Sequence, residues 1–150
     1  MTLGTLLKQG REILQNAGIA EWDLDAWYLL EWCTGVSRSH YLAYPDEIIS
    51  HDQEEQYRAS LVKRERRIPM QQITGEQEFM GLSFYVNEHV LIPRQDTECL
   101  VELALEDIRN IKTQNRCESN NTADRKNEQK VKVLDLCTGS GCIGISVKKL

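Results

Sequence analysis

Val131-Lys132-Val133-Leu134-Asp135-Leu136, then Cys137-Thr138-Gly139-Ser140-Gly141, then Cys142-Ile143-Gly144-Ile145-Ser146-Val147 is the stretch that sets the fold class. The first six residues read as a buried strand, the next five as a glycine turn, and the last six as the opening of a helix. A strand that runs through a glycine turn into a helix is a device for holding a nucleotide or cofactor. Glycines allow a tight turn and close backbone approach, and the helix start offers free N–H groups. The chain stops at Leu150, one or two turns into that helix. One strand cannot make a parallel sheet, so the expectation is the front half of an enzyme.

Working back from this stretch, residues 112–130 are almost purely polar and are expected to form a mobile loop, because such a segment buries too little to offset ordering. Pro93 is expected to set off a helix with Leu100, Val101, Ala104, Leu105 and Ile108 on one face. Between Glu76 and Ile92 the period becomes two. Phe79, a Met80-Gly81 turn, then Leu82, Phe84 and Val86 alternate with polar neighbours, and Asn87-Glu88 turns the chain into His89-Val90-Leu91-Ile92, a β-hairpin pattern.

The first seventy-five residues read as helices. Leu3, Leu6, Leu7, Leu14 and Ala17 recur at helical spacing, with Gly18 as a stop. Asp23 is expected to cap a second helix ended by Gly35, and Ser37 a short third one closed by Pro45. Ser50 with Gln53 forms a capping box for a long helix through Arg67, and Ile68-Pro69 ends it. Trp22, Trp27 and Trp32 do not share one face, which suits core and rim packing in a small bundle.

At 150 residues and 41% hydrophobic the chain has the composition of an ordinary globular protein, with a mean hydropathy of -0.48. A net charge of -5 argues against a general nucleic-acid binder. The one basic run, Lys63-Arg64-Glu65-Arg66-Arg67, reads either as the solvated end of a helix or as a docking patch for an acidic partner or RNA. Five cysteines without a C-x-x-C pair fit a reducing cytosol better than a disulfide framework. No signal peptide opens the chain and no apolar run approaches a membrane span, so a cytoplasmic protein is expected.

Gly139-Ser140-Gly141-Cys142-Ile143-Gly144 satisfies G-x-G-x-x-G, the dinucleotide fingerprint, but Leu136-Cys137-Thr138 intervene between the acidic strand tip and the first glycine. An acidic residue there suits a ligand with a cationic amine and no pyrophosphate, and S-adenosylmethionine (SAM) is such a ligand. A Walker loop is excluded, since no Gly-Lys-Ser/Thr follows. His40, His51 and His89 fall in three different elements without metal partners at ligand spacing. Asp96 and Glu98 suit the dipole of a first helical turn. Cys142 stands at a helix start with no base nearby in sequence. No metal site is read.

Leu91-Ile92-Pro93-Arg94-Gln95-Asp96-Thr97-Glu98-Cys99-Leu100-Val101 resembles the Ile-Pro-Arg-Pro-Glu/Asp-Thr-Glu block of the HemK/PrmC family, the release factor glutamine methyltransferases. Pro69 to Gly75 and Phe79-x-Gly81-x-x-Phe84-x-Val86 resemble the family's elements upstream of that block. Leu134-Asp135-Leu136-Cys137-Thr138-Gly139-Ser140-Gly141 resembles its SAM-binding motif. The resemblance covers the chain from about Pro69 to Leu150, and the helical region agrees in kind. Gln95 stands where a proline is usual and Cys137 where a glycine is usual, so Cys137 is expected to point away from the cofactor.

The resemblance implies an α+β then α/β architecture: a helical substrate-recognition domain over 1–75, a β-hairpin linker over 76–93, and over 94–150 the start of a Rossmann-like SAM-dependent methyltransferase domain. It implies methylation of the side-chain amide nitrogen of the glutamine in the Gly-Gly-Gln motif of peptide chain release factors. Cys137, Thr138, Gly139, Ser140 and Gly141 would hold SAM. The family's catalytic Asn-Pro-Pro-Tyr motif is absent, since no Asn-Pro dipeptide occurs, so no catalytic residue is assigned and the chain alone is expected to be inactive. A monomer is expected, with release factors as partners, a weak RNA or ribosome contact, and no membrane. The alternatives are a nicotinamide-dependent Rossmann oxidoreductase fragment and a non-enzymatic helical adaptor of the translation machinery.

Overall fold

The computed structural model describes residues 1–118 and 131–150. It divides into two compact units, Met1–Gly75 and Glu76–Leu150.

The first unit is helical: α1 (Leu3–Asn16), α2 (Trp22–Thr34), α3 (Arg38–Ala43), α4 (His51–Glu65) and α5 (Met70–Thr74). The Thr2 side chain caps α1 by accepting from the Thr5 amide. Leu3, Leu6, Leu7, Gly10 and Leu14 then fall on one buried face, the stripe that an i, i+3, i+4, i+7 pattern produces. Against it pack Ala26, Trp27, Leu29 and Leu30 of α2 and Tyr57 and Leu61 of α4. Complete burial of a leucine contributes about 1.5–3 kcal/mol, and four of α1 are fully buried. The Ser50–Gln53 capping box forms as its spacing predicts. Gly18, Gly35 and Gly75 all take positive φ at helix ends, the left-handed stop that glycine supplies without strain.

Two features of this unit depart from the sequence reading. Glu21, not Asp23, precedes α2, and it makes no side-chain cap; Asp23 lies in the first turn, paired with Arg11 of α1. Unforeseen is α5, a single turn that begins after Pro69 and ends at Gly75. Proline pre-sets the φ of a helix start. Trp27 is buried while Trp32 is exposed, as core and rim packing requires.

In the second unit β1 (Glu76–Phe79) and β2 (Leu82–Tyr85) pair antiparallel, Glu76 opposite Tyr85 and Phe79 opposite Leu82. Met80 (φ 53) and Gly81 (φ 71) make the two-residue turn, both in the left-handed region that hairpin twist favours. The return strand expected over His89–Ile92 does not form. Asn87 instead closes a turn, its side chain accepting from the His89 amide and its carbonyl from Val90, a local bond that competes with sheet pairing.

After Pro93 a single 3-10 turn (Gln95–Thr97) leads into α6 (Glu98–Glu118). The Glu98 carboxylate accepts the Met80 amide at 2.6 Å, tying the hairpin turn to the start of α6. Phe79, Val101 and Cys142 form the buried cluster of this unit. The helix runs through 112–118, which the sequence reading assigns to a loop. No glycine or proline interrupts that stretch, and each added residue of a nucleated helix gains one hydrogen bond. The rest of the expected loop, 119–130, lies outside the described residues.

The strand expected over 131–136 is unpaired; β1–β2 is the one sheet among the described residues. Val133, Leu134 and Leu136 are exposed. A strand exists by pairing, and no neighbouring strand among the described residues offers its N–H and C=O groups. The last helix, α7 (Cys142–Lys149), forms as expected. No helix among the described residues is long and apolar enough to cross a membrane.

Candidate functional site

The loop between Asp135 and α7 gathers the five residues singled out in the sequence. Cys137 (φ 60), Gly139 (φ 55) and Gly141 (φ 76) all take left-handed conformations, so the chain doubles back twice within five residues. The Gly141 amide donates to the Thr138 carbonyl at 2.9 Å, closing the turn, and the Gly141 carbonyl accepts the Ile145 amide at 2.9 Å as the first bond of α7. Ser140 Oγ accepts weakly from the Cys142 amide at 3.4 Å.

Asp135 organises this loop. Its Oδ2 accepts from the Thr138 hydroxyl at 2.8 Å and from the Gly144 amide at 3.2 Å. The carboxylate therefore sits on the first turn of α7, where the helix dipole favours negative charge. A Cβ at Gly144 would lie 3.2 Å from that oxygen, so the third glycine of the motif makes room for a side chain of its own loop. The sequence reading takes Asp135 as a charge suited to a cationic ligand and Gly144 only as part of the fingerprint; the bond between them is the addition. The signal was present as a carboxylate nine positions ahead of a glycine across a turn.

Cys137 explains the usual glycine at its position, because a left-handed conformation costs an L side chain about 1–2 kcal/mol. Its side chain is exposed. Cys137→Gly should therefore stabilise the protein by about 1 kcal/mol, read as a higher urea midpoint; an unchanged or lower midpoint would refute the strain.

The basic run resolves into two kinds of residue. Arg64 Nε donates to Asp25 Oδ2 at 2.7 Å and its Nη1 to the Ile68 carbonyl at 3.2 Å, and Asp25 is 5% exposed. Arg64 thus holds α4 to α2 and is not available for docking. Lys63, Arg66 and Arg67 are exposed. Elsewhere in this unit, burial pushes the Cys33 thiol up to about 11 against a weaker opposing bond from Ser60, which removes it as a nucleophile.

Residues 5–75 match the family model of the PrmC N-terminal domain. The chain is 36% identical over 147 residues to the release factor glutamine methyltransferase of Clostridium botulinum, covering 98% of this chain and 46% of that protein. It is 38% identical over 145 residues to that of Leptospira interrogans, covering 96% and 45%, and 35% identical over 143 residues to a bifunctional methyltransferase of Rickettsia typhi, covering 95% and 28%. Residues 5–75 thus carry the PrmC N-terminal domain, and nearly the whole chain is similar to release factor glutamine methyltransferases. It spans about half the length of the release factor glutamine methyltransferases just named.

Proposed function

We propose that this chain is the N-terminal part of a SAM-dependent enzyme that methylates the side-chain amide nitrogen of the glutamine in the Gly-Gly-Gln motif of peptide chain release factors. Residues 1–75 select the protein substrate, 76–93 form the linker, and 94–150 begin a Rossmann-like domain in which Cys137 to Gly141 line the cofactor. The enzyme works in the cytoplasm as a monomer. Lys63, Arg66 and Arg67 offer the release factor or ribosomal RNA a basic surface.

The observation that carries the choice of cofactor is the Asp135 carboxylate on the Gly144 amide. In a dinucleotide site the first-turn amides of the helix bind pyrophosphate. Here a carboxylate already occupies one of them, and its charge would repel a phosphate while attracting the ammonium of an amino-acid ligand. The nicotinamide reading is disfavoured on that ground. SAM, when bound, supplies an electrophilic methyl group on a sulfonium. The left-handed turn residues let the backbone approach it closely, and the carboxylate offers a partner for a positive group. The amide nitrogen of glutamine is a poor nucleophile, so catalysis must rest mainly on orientation. The Asn-Pro-Pro-Tyr motif that supplies it in the family is not in these 150 residues.

Calorimetry on the full-length gene product tests the reading: SAM should bind and NAD should not. Gly141→Val should raise the SAM Kd by about tenfold or more, about 1.4 kcal/mol, because its φ is 76 and its Cβ would lie 3.3 Å from Ile145 Cδ1. Binding of NAD in place of SAM overturns the assignment. Absence of binding to either ligand would favour the helical adaptor.

A further inference from the structure

We infer that Thr138 and Gly144 act on the cofactor indirectly, as positioning residues that fix one rotamer of Asp135, the carboxylate already read above as the partner of the ligand's positive group. The inference rests on the SAM reading and adds to it a division of labour inside the loop. Thr138 is exposed, and the resemblance of its loop to the SAM-binding motif makes it a direct ligand contact. Its hydroxyl, however, donates to Asp135 Oδ2 at 2.8 Å. The same oxygen takes the Gly144 amide at 3.2 Å, so two donors converge on one carboxylate oxygen.

A carboxylate held at one oxygen by two donors cannot swing away without breaking both bonds. Bonds to an ionised acceptor are about twice as strong as neutral ones, so the pinning is effective even in a half-exposed loop. Gly144 completes the arrangement sterically: a Cβ there would lie 3.2 Å from Oδ2 and 3.7 Å from the Asp135 Cβ, tight enough to push the carboxylate by a few tenths of an ångström. The third glycine of a dinucleotide fingerprint serves helix–strand packing; here it serves the carboxylate.

The experiment is a double-mutant cycle in the full-length gene product, with the SAM Kd read by calorimetry and the ligand-free melting temperature read beside it. Thr138→Val should raise the Kd about tenfold, the scale of one charge-assisted hydrogen bond, with little change in melting temperature. Thr138→Ser, which keeps the hydroxyl, should restore most of the affinity. In an Asp135→Ala background Thr138→Val should have no further effect, because residues that act through one another are non-additive. Gly144→Ala should weaken binding like Thr138→Val. Additive losses in the double variant, or no rescue by serine, would overturn the inference and leave Thr138 as a direct contact. A wild-type protein that binds no SAM would instead overturn the cofactor reading on which it rests.

Discussion

Arg64→Ala should lower the stability of the helical unit by about 3 kcal/mol, the low end of the cost of breaking a buried ion pair, because the arginine itself is only partly buried. Asp25 is 5% exposed, and Arg64 Nε at 2.7 Å is its ion-pair partner. Truncation also strips a donor from the Ile68 carbonyl, where the chain leaves α4. Typical domains hold only about 5–15 kcal/mol in total, so the loss is a large part of what the unit has. All three tryptophans lie in α2, which makes tryptophan fluorescence in urea a direct reading of this unit. Arg66→Ala, at an exposed position two residues on, should change stability by no more than about 0.5 kcal/mol. The double variant Asp25→Leu with Arg64→Met should recover most of the loss, since replacing a whole buried pair by apolar groups is often neutral. A wild-type urea midpoint for Arg64→Ala would show the pair to be energetically idle.

Gly10→Ala should follow, with two effects of opposite sign. Alanine in mid-helix is favoured over glycine by about 1 kcal/mol. The added Cβ, however, would lie 2.0 Å from the Tyr57 hydroxyl and 2.8 Å from Cζ. Tyr57 has no room to withdraw: it is fully buried and its hydroxyl donates to the Ala26 carbonyl at 3.1 Å. Overpacking of this kind costs typically about 1–3 kcal/mol and sometimes more, so packing wins and a net loss of about 2 kcal/mol is expected. Tyr57→Phe removes the atom in closest conflict. Combined with Gly10→Ala it should therefore lose less than the two single variants added together, by about 1 kcal/mol. Strict additivity, or a stabilised Gly10→Ala, would mean that α1 and α4 stand further apart.

What could be read in the residues alone depended on whether the determinant was local. The Ser50–Gln53 box, the Met80-Gly81 turn and the Gly35 stop are set within four or five positions, and all three appear. The return strand expected at His89–Ile92 is absent because Asn87 offers its own side chain and carbonyl to the next residues, which a period-two pattern does not register. Residues 112–118 have the polarity of a loop, yet an uninterrupted helix continues through them. Arg64 was grouped with its basic neighbours because nothing in the run reveals that Asp25, 39 positions earlier, lies opposite it. In the candidate site the turn was legible from its glycines. The role of Asp135 was legible only as a charge, since its bond to the Gly144 amide depends on how the loop closes. Cys137 shows the limit from the other side: glycine was recognisable as the usual residue, but the reason, a φ of 60, is visible only in the backbone.

The pairing of the chain's first residues with residues 45 to 58 also governs the order of events during synthesis. Leu3 and Gly4 donate to the Glu47 and Pro45 carbonyls, the Met1 ammonium meets Glu54, and Tyr57 fills the space over Gly10. Helix α1 therefore leaves the ribosome with Leu3, Leu6, Leu7 and Leu14 uncovered on the α4 side. At about 5–20 residues per second, the interval between its last residue and Tyr57 is roughly two to eight seconds. During that window the nascent chain presents an apolar helix to whatever is near the tunnel exit. Once α4 has emerged the unit can close, before the hairpin, α6 or the glycine loop has followed it out of the ribosome.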